Sequence, residues 1–134
     1  MTAAALREST GGSWTERPDG WWRPTAPGEV RAAARALRDG GARFAALVVS
    51  APRPGALRLT WHFDLGGTLL TLDAAAAPDA RVPSIADVYP GADWAEREAR
   101  DHYAVAFEGR AATPPLVLRD GDAPGVMAGA GGPP

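Results

Sequence analysis

The chain is expected to fold as an α+β domain in two layers, a mainly antiparallel sheet of three to four strands packed by helices, with flexible ends. Three observations lead there. Leu57, Leu59, Trp61, Phe63 and Leu65 alternate with Arg58, Thr60, His62 and Asp64, the period of two of a half-buried strand. Val30, Ala33, Ala34 and Leu37 recur at i, i+3, i+4 and i+7, which gathers them on one face of a helix. Finally, residues 81–109, RVPSIADVYPGADWAEREARDHYAVAFEG, hold the densest charge in the chain and two helix-start signals.

In chain order, residues 1–18 read as a flexible arm, and MTAAALRESTGG lacks the apolar centre of a signal peptide, so the chain is expected to stay in the cytoplasm. Trp14, Trp21 and Trp22 follow among Gly and Pro. They fit a short strand near 20–23 with an indole on the core, or an exposed indole anchoring a partner. A helix over 29–39 starts at Thr25-Ala26-Pro27, where Pro suits the first turn, and ends at Gly40-Gly41. Its Arg31, Arg35 and Arg38 point away from the apolar face. Phe44 to Val49 is an unbroken apolar run, expected as a strand over 43–50 buried on both faces.

After a turn at 51–55 comes the alternating strand, 57–65. Gly66-Gly67 then closes a two-residue hairpin onto a strand at 68–73. That loop sets Phe63 opposite Leu70, Trp61 opposite Leu72, and His62 opposite Thr71 on the polar face. Asp73 to Asp79 reads as an Ala-rich connection. Ser84 with Asp87, and Asp93 with Glu96, each have capping-box spacing. They predict a short helix at Ser84, a break at Pro90-Gly91, and a second helix from about Trp94 to Tyr103. Residues 119–134 are mostly Gly, Ala and Pro and are expected to be a disordered tail. One domain over 19–118 remains.

With 134 residues the chain suits a single core, and 46% hydrophobic with 22% charged residues are globular values. A net charge of −2 gives no electrostatic reason to expect nucleic acid or an anionic membrane surface. All 14 basic residues are Arg. Cys is absent, which excludes disulfides and any thiolate-held metal or iron–sulfur cluster on this chain. No stretch approaches the roughly 20 apolar residues of a membrane-spanning helix.

On the predicted second helix, Asp93 and Arg97, Glu96 and Arg100, and Arg97 and Asp101 are spaced to pair. Ala92, Ala95, Ala99 and Ala106 make a smooth stripe that lets the helix press on a sheet or another chain, and Trp94 at its start is then either buried against the domain or exposed as a partner anchor. Glu98 and His102 have the i, i+4 spacing of a shared metal site, and Arg58, His62 and Asp64 could form a small polar site. Against these stand a solvated helix face and an outward strand face.

Pro83-Ser84, the Pro-Gly-Ala-x-Trp of 90–94, Glu96-Arg97-Glu98, Asp101 and Phe107-x-Gly109 together resemble the signature of the C-type subunit of NADH-quinone oxidoreductase. That family is a peripheral-arm component of respiratory complex I with relatives in membrane-bound nickel–iron (NiFe) hydrogenases. His102-Tyr103 stands where the family usually has two aliphatic or Phe residues, and Arg110-Ala111 where it usually has His-Pro. The resemblance implies a cofactor-free structural subunit that docks on the NiFe-hydrogenase-like large subunit (the D-type component of complex I), with the small iron–sulfur subunit nearby. It implies a place on the cytoplasmic side of the membrane, touching the bilayer only through the complex. By the same resemblance, Trp94, Glu96, Arg97, Glu98, Asp101, Phe107, Gly109 and Arg110 would form the partner interface, with no catalytic, metal or cofactor residues. The alternative is a small enzyme using His62 or His102 with nearby carboxylates, for which the chain has no nucleophile motif, phosphate loop or three-ligand metal spacing.

Overall fold

The alternating segment lies at the centre of the molecule. In the computed structural model, which describes residues 1–77, 79, 81–111 and 125, strand β4 (Ala56–Leu65) pairs antiparallel with β5 (Thr68–Ala76). Gly66 and Gly67 have φ of 59° and 94°, the left-handed backbone that two-residue hairpin turns demand. The register is the expected one: Phe63 faces Leu70, Trp61 faces Leu72 and His62 faces Thr71. β5 runs on to Ala76, so Asp73 to Ala76 is strand rather than connection.

Three more strands complete a five-stranded sheet in the order β1-β2-β5-β4-β3. These are β1 (Thr15–Arg17), β2 (Gly20–Pro24) and β3 (Arg43–Arg53). β2 is parallel to β5 and the other neighbours are antiparallel. β3 ends the sheet, and none of its residues is buried, Val48 being 52% exposed. The two-sided burial expected from its apolar run is therefore wrong. An apolar run reports residue type, whereas burial depends on what lies on each side.

Helix α1 spans Ala3–Thr10 and α2 spans Val30–Asp39, preceded by a 3-10 turn at Pro27–Glu29. The α2 face is the expected one, with Val30, Ala33, Ala34 and Leu37 buried. α1 replaces most of the flexible arm expected over 1–18. Its Leu6 is fully buried, and a Cβ on Gly40 would come within 2.3 Å of the Leu6 Cδ1. Gly40 thus leaves the space that Leu6 fills. The Arg7 guanidinium lies 3.5 Å from the centroid of the Trp21 ring, a cation–π contact that adds to the docking.

Helix α3 spans Ala92–Tyr103 and ends at Ala104, whose φ of 57° is left-handed. Before and after it, β6 (Arg81–Pro83) and β7 (Ala106–Glu108) form a parallel pair. No helix starts at Ser84. Residues 85–89 make a single turn, with the N–H groups of Val88 and Tyr89 both donating to the Ile85 carbonyl at 3.0 and 2.8 Å. Apart from Gly125, the tail expected over 119–134 lies outside the described residues.

Candidate partner interface and its buried brace

α3 carries the charged signature, and its two faces differ. Glu96 is 1% exposed. Its Oε1 accepts from the Ser84 hydroxyl at 2.6 Å and from Arg110 Nη1 at 2.9 Å, while Oε2 accepts from the Ile85 N–H at 2.8 Å. Arg110 also pairs with Asp93, and the Ser84 N–H donates to the Glu108 carbonyl at 2.8 Å. One carboxylate therefore ties α3 to the 84–85 turn and to the segment after β7.

This geometry corrects both capping boxes. Asp87 turns away from Ser84 and forms a bidentate pair with Arg31 of α2. Ser84 instead accepts from the Ala86 N–H at 3.1 Å and donates to Glu96. At α3 the N-cap is Gly91, and Glu96 lies inside the helix, bonded to residues outside it. Hydrogen bonding to Arg31 holds the Asp87 carboxyl at about 2, well below its ordinary value. Arg31 also donates to the Ser84 carbonyl at 3.0 Å, so α2 holds the same turn from the other side.

Asp101 is fully buried, with Arg100 Nη2 at 3.1 Å from its carboxylate, and its backbone carbonyl accepts from the Gly125 N–H at 2.8 Å. Of the expected helix pairs, Asp93 and Arg97 meet at 4.0 Å, whereas Glu96 bonds to Arg110, Ser84 and Ile85. Phe107 is half-buried against the core and Gly109 is exposed with φ of 82°. The eight signature residues thus divide. Glu96 and Asp101 are interior in this chain, and Arg110 is mostly committed to Asp93 and Glu96.

Trp94 is 60% exposed, so of the two placements open to it the structure has the exposed one. Ala92 and Ala99 are buried and Ala95 is half-buried, but Trp94 extends from the opposite side. Glu98 is exposed as well. Glu98 and His102 line a groove of about 250 Å³ between α3 and β3, together with Leu47, Val48 and Val49. No group of three or more metal-ligating side chains occurs among the described residues.

The other polar cluster does not form as a site. Asp64 pairs with Arg43 at 2.9 Å and Arg58 with Asp73 at 2.8 Å. His62 is held between the Thr60 and Thr71 hydroxyls at 3.0 and 2.8 Å, with Trp22 edge-on at a centroid separation of 5.8 Å. Burial lowers the His62 pKa below 6.5, only partly offset by Asp19. Tyr89 donates to the Ala42 carbonyl at 2.8 Å, and burial raises its phenol to about 12.

Ser84 as a donor to Glu96 and Asp87 as the partner of Arg31 were both missed from sequence. The helix-start pattern there is real, but more distant partners take both side chains.

Residues 24–126 match the family described as the respiratory-chain NADH dehydrogenase 30 Kd subunit. The chain belongs to this family. Among curated relatives, the NADH-quinone oxidoreductase C subunit of Rhodobacter capsulatus is 40% identical over 83 residues, covering 56% of this chain and 42% of that protein. The corresponding C subunit of Rhodopseudomonas palustris (strain BisB18) is 45% identical over 53 residues, covering 38% of this chain and 27% of its own. This 30 Kd-family chain therefore spans less than half the length of those relatives. A solved chain from the membrane-bound sulfane sulfur reductase, an archaeal respiratory membrane complex, superposes with a TM-score of 0.71 over 81% of this chain and 69% of its own. At 23% identity it establishes the shared fold.

Proposed function

We propose that this chain is a structural subunit of a complex I-like NADH-quinone oxidoreductase or a related membrane-bound nickel–iron hydrogenase. It docks on the large catalytic subunit and supports assembly of the peripheral arm. It binds no cofactor, and electron transfer takes place in its partners, the large subunit and a nearby iron–sulfur subunit. It sits on the cytoplasmic face and meets the membrane only through the complex. No helix among the described residues is long and apolar enough to cross a membrane, which is compatible with that placement.

The observation that carries the docking is Trp94. In a family signature helix whose other face is closed by the Glu96 brace, a 60% exposed indole is a large apolar surface with no use inside the domain. Family membership and the absence of thiolate ligands support the rest of the reading.

Co-expression with the large subunit, followed by affinity capture and a thermal melt, is the test. Trp94→Ala should lose capture at an unchanged melting temperature. Equal capture would remove α3 from the interface. Elemental analysis of the purified chain should find no stoichiometric metal, and one metal lost on Glu98→Ala or His102→Ala would favour an enzyme instead.

A further inference from the structure

Among the described residues, Val48 is one of three exposed large hydrophobics, and it lines a groove between β3 and α3. One wall is α3, presenting Ala95, Glu98 and His102, and the other is β3. β3 is the terminal strand of the sheet, and no described strand pairs with its free side. A long edge strand left open is a template for another strand, and natural proteins usually blunt it with charge, Pro or a covering element. Here Arg43, Pro52 and Arg53 and register shifts at Phe44/Ala46 and Ser50/Arg53 blunt the two ends of the 11-residue β3, whereas residues 46–50 between them carry no charge and no Pro.

We propose that this groove receives an extended basic segment of the partner subunit, which adds to the sheet along β3 and sets an arginine or lysine against Glu98. Main-chain hydrogen bonds to the edge provide affinity in strand addition, and flanking side chains provide selectivity. The choice of a basic segment follows from charge. Glu98 is the one carboxylate lining the groove, it is exposed, and it has no ion-pair partner among the described residues. Val48 and Leu47 then lie beside the incoming strand, and Trp94 closes on the same partner one helical turn before Glu98. This inference rests on the docking reading above and names the structure that docks.

The test uses the full chain co-expressed with the large subunit. Hydrogen–deuterium exchange should show the β3 amides over residues 46–50 becoming protected in the complex. Glu98→Arg should weaken capture at least about tenfold without changing the melt, because a like charge replaces an opposite one. If the complex forms, Trp94→Ala weakens it, and β3 exchange is unchanged, strand addition is overturned while docking through α3 stands. A helix seated in the groove would give that result too. If no complex forms, both readings fall.

Discussion

Glu96 and Glu98 stand two residues apart on one helix, and the fold uses them in opposite ways. Glu96 is enclosed and accepts from Ser84, Ile85 and Arg110, whereas Glu98 faces solvent at the mouth of a groove. Spacing on the helix treats them as members of one charge set. The structure divides that set into a brace that closes the domain and an exposed face. A charge-dense motif in this family segment is therefore two devices, and loss of binding in a variant means little until its effect on folding is known.

The largest expected effect is on the brace. Glu96→Ala leaves a buried hydroxyl, a backbone N–H and the Arg110 guanidinium without their acceptor, and should cost about 3–5 kcal/mol. Glu98→Ala should stay within about 0.5 kcal/mol of the parent. Chemical denaturation of the two variants side by side measures the difference, and equal losses would break the comparison.

Next comes Arg110→Ala, expected to cost about 1.5–3 kcal/mol, because the interior carboxylate loses a charged donor that is itself partly open to water. It should therefore lower the melting temperature along with any loss of capture. A melt that does not move would return Arg110 to the interface.

Trp94→Ala should change stability by less than about 0.5 kcal/mol, since the indole is mostly in water, while costing about 2 kcal/mol or more of partner binding. Calorimetry of folding and binding on this one variant separates the two faces most directly.

The smallest effect lies away from α3 and serves as its control. Burial lowers the His62 pKa, so the unfolded chain binds a proton more readily than the fold does. Stability from this residue is complete above its ordinary value of 6.5 and is lost as pH falls through the lower folded value. On acidification from about pH 7.5 to about pH 5.5, the urea midpoint should therefore fall further in the parent than in His62→Gln. An identical fall in both would show that His62 titrates alike in the folded and unfolded chain.

The central hairpin was legible because its information is local. Alternation from Leu57 and a two-glycine loop specify both the strands and their register, and the periodic face of α2 is read in the same way. Much of the candidate site was not legible, since Ser84, Asp87 and Glu96 carry a helix-start spacing that more distant partners override.

By itself, the sequence determined the α+β class, the 57–73 hairpin with its register, the α2 face and the segment that identifies the family. Each follows from a short repeat or a contiguous motif. Tertiary structure alone decided that Leu6 fills the space over Gly40, that β3 is an open edge, that Glu96 is buried and that Trp94 is not. The reason is physical. Burial and ion pairing depend on which distant surfaces meet, and Glu96 finds Ser84 twelve residues before it and Arg110 fourteen after it. No local spacing can show which of those approaches the fold completes.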